Sequence, residues 1–138
     1  MNLQIYTDGG ARGNPGPAGV GVVIVDKANG DKIDEISKYL GETTNNQAEY
    51  QAAITGLARA VELNAQSVEL ISDSELLIRQ CRGQYKVKNQ DIAQRFLELK
   101  NLETRLGGRV QYRHVKRELN KQADALANQA MDNSELRS

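Results

Sequence analysis

The feature that most limits how this chain can fold is a change of hydrophobic period near residue 44. Before it, the sequence reads only as strands. "LQIYTD" (3–8) alternates apolar and polar residues, "GVGVVIVD" (19–26) is a β-branched run, and "DKIDEISKYLG" (31–41) alternates more weakly. Asn29-Gly30 is a hairpin signal between the last two, so the opening reads as an antiparallel meander. After it, Tyr50, Ala53, Ile54, Leu57, Ala58 and Val61 fall on one face of a helix that runs from Asn46 to near Asn64. Thr44 with Gln47 fits a capping box, and Asn45 or Asn46 can also cap.

Beyond that helix, short strands and helices alternate. "SVELISD" (67–73) reads as a strand, a helix starts near Ser74, and "RGQYKVKNQ" (82–90) is a polar, basic link. Ile92, Phe96, Leu99, Leu102 and Leu106 mark a helix closed by Gly107-Gly108. "RVQYRHV" (109–115) is the last strand, and a helix from Asn120 turns Ala123, Leu126, Ala127 and Ala130 inward. The order β-β-β-α-β-α-α-β-α predicts an α/β fold whose mixed sheet, an antiparallel meander followed by parallel strands, is flanked by helices. The 138 residues fit one domain, expected over 1–131, with "DNSELRS" (132–138) as a frayed tail.

Composition removes several classes. No apolar run approaches the ~20 residues of a membrane span, and Met1 leads straight into a strand without a signal-peptide pattern. The single cysteine, Cys81, excludes an internal disulfide and reads as a small apolar helix residue; a cytoplasmic setting is expected. No sustained apolar face is left unassigned, so a monomer is expected. The net charge is zero, but its distribution is uneven: residues 79–121 carry +8, residues 1–78 carry −6 and residues 122–138 carry −2. Such a basic segment can face phosphates despite the neutral total, or it can be a solvated helix face with internal ion pairs.

Four carboxylates fall at element ends: Asp8 closing the first strand, Glu49 in the first turn of the first helix, Asp73 closing the fourth strand, and Asp124 early in the last helix. Singly, each has an ordinary role as a cap, a partner of a helix dipole or a solvated side chain. If the first and fourth strands are neighbours, all four can meet at one sheet edge. Unrelieved, they repel and raise one another's pKa. A hard divalent cation such as Mg²⁺ relieves that repulsion, and two ions ~4 Å apart suit in-line phosphodiester displacement. With one histidine and one cysteine, a zinc site is disfavoured. The loop "DGGARGNPGPAG" lacks the G-x-x-x-x-G-K-[ST] pattern of an ATP cradle. Its glycines either let backbone approach a polynucleotide or simply build a long turn.

With those residues in place, the chain resembles ribonuclease H of type 1 over nearly its full length. "YTDGGARGNPGPAG", "TTNNQAEYQAAI", "ISDSELLI" and "NKQADALAN" carry the resemblance, in order. It implies a mixed five-stranded sheet and Mg²⁺- or Mn²⁺-dependent cleavage of the RNA strand of RNA–DNA hybrids, leaving 5′-phosphate and 3′-hydroxyl ends. It implies Asp8 as the ligand bridging both metals, with Asp124 beside it and Glu49 and Asp73 on the other ion. Glu49 also meets the RNA 2′-hydroxyl, the group that separates RNA from DNA. Gly9, Gly10, Asn14, Asn45, Asn46 and Gln47 match hybrid-contacting positions.

Two departures stand out. The loop before the last helix, "VKRELN", has no histidine, and the link "RGQYKVKNQ" is too short for the basic protrusion of some members. His114, earlier in the chain, reads as structural. Arg117 or Glu118 is the substitute expected for the histidine, and Lys86, Lys88, Arg113, Lys116 and Arg117 for the protrusion. Two other readings share these motifs: a nuclease of this fold directed at DNA, and an inactive hybrid-binding module.

Overall fold

The computed structural model describes residues 1–137, with side chains described for residues 1–134. Five strands, β1 (Asn2–Ala11), β2 (Gly16–Asp26), β3 (Lys32–Thr43), β4 (Ser67–Ser72) and β5 (Val110–His114), form one sheet in the order β3-β2-β1-β4-β5. The meander pairs antiparallel, with Asp8 opposite Gly21, while β4 and β5 join parallel, with Thr7 beside Ser72 and Ser72 beside His114. Four helices complete the fold: α1 (Asn45–Glu62), α2 (Glu75–Cys81), α3 (Gln90–Arg105) and α4 (Lys121–Arg137). A single 3-10 turn, Arg117–Leu119, precedes α4.

Alternation along the strands sorts the two faces. Leu3, Ile5, Val22, Ile24, Leu70 and Tyr112 point to one side, where Tyr50, Ala53, Leu57 and Ala60 of α1 and Leu99 of α3 complete a dry core. The opposite side receives α4. Gly19 and Gly21 lie beneath it because a Cβ at either would strike the backbone of Ala127 or Ala123. With both faces covered, β2 is buried from Ala18 to Ile24, which explains its unbroken β-branched run.

Helix starts follow side-chain capping. Thr44 Oγ1 accepts from Gln47 N, Ser74 Oγ from Leu77 N, and Asn89 Oδ1 from Asp91 N and Ile92 N. Several boundaries differ from the sequence pattern. β1 does not stop at Asp8: Gly9, Gly10 and Ala11 continue the ladder opposite Val20, Gly19 and Ala18. α1 begins at Asn45, so Glu49 sits in its second turn rather than its first. The chain also stays helical past Met131, to Arg137, where a frayed tail from residue 132 was expected. The exposed Asp132 pairs with Arg12, a contact between α4 and the β1–β2 turn that periodicity does not register. Ser138 lies outside the described residues.

Candidate active site

Parallel pairing of β1 with β4 puts the chain ends of the two strands side by side, with Asp8 one residue beyond Thr7 and Asp73 one beyond Ser72. α1 enters above them. Gly9 makes this possible, since a Cβ there would fall on the Ala48 carbonyl and push the helix away. α4 enters from the other side, seated on Gly19 and Gly21, and carries Asp124 in its first turn. The result is a cleft of about 380 Å³ lined by Asp8, Glu49, Asp73 and Asp124, with Gly9, Gly10, Ala11, Arg12, Asn45, Arg117, Asn128 and Met131 around them.

The electrostatics of this cleft are unfavourable for the protein alone. Asp8 is pushed up to about 8, first by burial, then by the charge of Asp73, a hydrogen bond and charge from Asp124, and the charge of Glu49. Below about pH 8 Asp8 therefore keeps its proton in the metal-free protein. Burial also raises Glu49, against a hydrogen bond from the Ser74 side chain that lowers it, and the charge of Asp73 raises it further. Arg117 reaches the group from the rim, its Nη2 3.6 Å from Asp124 Oδ1 on a side chain 77% exposed. An exposed pair of this kind screens little.

All four facing groups are carboxylates, the oxygen donors that hard divalent cations take. The uncompensated charge that keeps Asp8 protonated is what such a cation relieves, so the donor set fits Mg²⁺ or Mn²⁺. Among the described residues, no three His, Cys, Asp or Glu side chains already converge as a metal-holding group. The carboxylates line one cleft rather than closing a cage.

The other residues singled out in the sequence divide. Asn45 accepts from Ala11 N through Oδ1 at 2.7 Å, and its own N–H donates to Asn14 Oδ1 at 3.2 Å. Both side-chain oxygens thus brace the strand end against α1. Asn46 Oδ1 is buried and has no hydrogen-bond partner among the described residues. Gln47 contributes its backbone N–H to the Thr44 cap. Gly10, unlike Gly9, has only ordinary contacts around its Cα, the nearest being Met131. Lys86, Lys88, Arg113 and Lys116 are not among the cleft-lining residues; Lys86 and Lys88 lie in the α2–α3 link, and Arg113 pairs with Glu69 at 3.1 Å. Arg117 and Glu118 separate: Arg117 lines the carboxylate cleft, whereas Glu118 lines a neighbouring one with Gln4, Tyr6 and Leu119. His114 is exposed at the end of β5.

Two contributors escaped the sequence reading. Ser74 both caps α2 and hydrogen-bonds Glu49. Asn120, 1% exposed, donates from Nδ2 to the Thr7 carbonyl at 2.9 Å. The signal for each was present, a cap serine beside Asp73 and an asparagine one turn before Asp124, but neither is visible until the strands are paired.

Comparison with known proteins agrees with this architecture. The family model "Reverse transcriptase-like" matches residues 6–130. The chain is 40% identical over 132 residues to the bifunctional protein Rv2228c of Mycobacterium tuberculosis, covering 96% of this chain and 36% of that protein. To ribonuclease HI of Halobacterium salinarum it is 39% identical over 132 residues, covering 96% and 65%. The chain thus spans from about a third to just under two thirds of these relatives. The H. salinarum RNase H1 crystal structure superposes with a TM-score of 0.92 at 38% identity, covering 96% of this chain and 99% of that one. LC11-RNase H1, solved in complex with an RNA/DNA hybrid, superposes with a TM-score of 0.90 at 43% identity, covering 96% and 98%. The fold is that of a ribonuclease H-like domain, and the chain belongs to the ribonuclease H family. Among the described residues, no helix is long and apolar enough to cross a membrane.

Proposed function

We propose that this chain is a metal-dependent endoribonuclease that hydrolyses the RNA strand of RNA–DNA hybrids, giving 5′-phosphate and 3′-hydroxyl ends. The observation that carries the reading is the gathering of Asp8, Glu49, Asp73 and Asp124 in one open cleft, where burial, and after it the neighbouring carboxylates, holds the pKa of Asp8 up. Bound Mg²⁺ or Mn²⁺ would supply an activated water and stabilisation of the leaving oxygen. Asp8 would serve both ions, with Asp124 beside it on one and Glu49 and Asp73 on the other, and Asp8 would give up its proton on loading. Ser74 favours the ionised form of Glu49 against the larger effect of burial, and Glu49 can accept from the RNA 2′-hydroxyl.

Asn46 is kept as a hybrid-contacting residue in this reading, its buried Oδ1 at the start of α1 having no hydrogen-bond partner among the described residues. Asn14 and Asn45 act chiefly by bracing the strand end against α1, while the exposed Lys86, Lys88 and Lys116 give salt-sensitive contact to hybrid phosphates beyond the cleft, Arg113 being engaged by Glu69. Arg117, at the cleft mouth, is the better placed substitute for the absent loop histidine than Glu118. The chain acts in this reading as a cytoplasmic monomer, its domain running on through α4 past residue 131.

The test is cleavage of a strand-labelled RNA–DNA hybrid with Mg²⁺ or Mn²⁺, beside single-stranded RNA, duplex RNA and duplex DNA. Cutting confined to the hybrid's RNA strand is expected. Cutting of duplex DNA would instead support a DNA-directed nuclease, and hybrid binding without any cutting an inactive module.

A further inference from the structure

One side chain ties the start of α4 to the end of β1. Asn120 Nδ2 donates to the carbonyl of Thr7, the residue before Asp8, at 2.9 Å. One turn later, Asp124 N donates to the Asn120 carbonyl at 3.1 Å, and Asn120 N donates to the Arg117 carbonyl at 2.9 Å. A single residue thus grips the strand that carries Asp8, the helical turn that carries Asp124 and the 3-10 turn that carries Arg117.

The amide has only one way to face. A backbone carbonyl accepts and never donates, so the NH₂ group must meet Thr7. Asn120 Oδ1 is then left buried without a partner among the described residues. A side chain kept only for packing would avoid that unpartnered acceptor, since an apolar residue of similar volume has none. Packing of α4 on the sheet is already provided by Gly19 and Gly21 beneath Ala123, Ala127 and Ala130.

We propose that Asn120 is a positioning residue: its amide holds Asp124 in register with Asp8, so that the two carboxylates can share a divalent cation. This rests on the metal-dependent reading of the cleft given above. Asn120 touches neither substrate nor metal. It acts through the Thr7 carbonyl and the first turn of α4.

The test compares wild type, Asn120→Leu, Asn120→Gln and a core control, Leu99→Ala. Thermal unfolding of the metal-free protein is followed as Mn²⁺ is added, and kcat and KM are measured on a hybrid. Asn120→Leu removes the donor together with the unpartnered oxygen. We expect it to lose about half or more of the Mn²⁺-induced shift and ~10–100-fold in kcat, with KM changed less than about threefold. Asn120→Gln keeps an amide donor and should recover part of both. Leu99→Ala, destabilised in the core, should keep the full Mn²⁺ shift and kcat below its unfolding midpoint. Should Asn120→Leu not fold, Asn120→Ser, whose hydroxyl is too short to reach Thr7, decides in the same way. A folded Asn120→Leu with wild-type Mn²⁺ shift and kcat would overturn the inference, as would a kcat loss in Leu99→Ala proportionate to its loss of stability. A wild-type protein that neither responds to Mn²⁺ nor cuts hybrid would instead sink the reading of the cleft itself.

Discussion

The sheet has two regions built to opposite rules. Beneath α1 and α3, Leu3, Ile5, Leu57, Leu70 and Leu99 are at most 1% exposed, and every neighbour is apolar or satisfied. At the strand ends, a few residues away on β1 and β4, four carboxylates crowd one cleft, and two amide oxygens at the starts of α1 and α4, those of Asn46 and Asn120, are buried without partners among the described residues. Each unpaired buried group costs on the order of 1–3 kcal/mol. The first region holds the chain folded. The second keeps groups that folding alone would discard, which is the pattern expected where a site is organised for an absent charge.

The largest expected contrast comes from exchanging one residue in each region. Asp8→Asn should reduce hybrid cleavage by ~10³-fold or more, since the carboxylate lies at the centre of the cluster. It should leave the metal-free protein as stable or more stable. Leu99→Ala should do the reverse: a loss of ~2–5 kcal/mol in urea unfolding, with near-normal turnover in the folded fraction.

A smaller effect links the two regions. A methyl at Gly21 would press on Ala123 O at the start of α4, so Gly21→Ala should cost ~1–3 kcal/mol. Because Asp124 rides on that helix, kcat should fall as well, whereas Gly30→Ala, with open space around it, should leave kcat unchanged despite its positive φ.

pH sharpens the contrast further. The folded value of Asp8, about 8, lies above its unfolded value near 4, so its contribution is fully present below pH 4 and is lost as pH rises through 8. Metal-free protein should lose stability across that window, by at most about 1.4 kcal/mol per pH unit from this group. Stabilisation by added Mg²⁺ should grow over the same window, because loading displaces the proton. Chemical denaturation at pH 5, 6.5 and 8, with and without Mg²⁺, checks both signs; a metal-free midpoint that rises with pH and is unchanged in Asp8→Asn would contradict them. The smallest effect is expected at Arg117, an exposed cation 3.6 Å from Asp124: Arg117→Ala should change stability by less than ~1 kcal/mol while lowering turnover severalfold.

The sequence made the first region legible and the second only in composition. Period alone separates the meander from the helices, and the cap at Thr44 marks where the first helix starts. Periodicity cannot see partners, however. Gly9 reads as a turn or backbone-approach residue, and Gly19 and Gly21 as members of a β-branched strand run. Their need becomes plain only when Ala48, Ala127 and Ala123 are found against them. Nor does β1 end at Asp8, because pairing with β2 holds Gly9, Gly10 and Ala11 in the ladder despite their poor strand propensity. The lysines and arginines of residues 79–121 read as one basic segment by count. In space, Arg79, Arg95, Lys100 and Arg113 are spent on Glu75, Glu98, Glu103 and Glu69. Asn120 was visible only as the first residue of a helix; its bond to Thr7 spans 113 positions.

The most direct test of the trade between these regions is thermal unfolding of wild type and Asp8→Asn at pH 8, with and without Mg²⁺, beside hybrid cleavage by the same samples. The account predicts that metal-free Asp8→Asn melts at or above the wild-type temperature, gains little from Mg²⁺ and does not cut. An Asp8→Asn protein that melts well below wild type without metal, gains as much from Mg²⁺ and still cuts the RNA strand would contradict it.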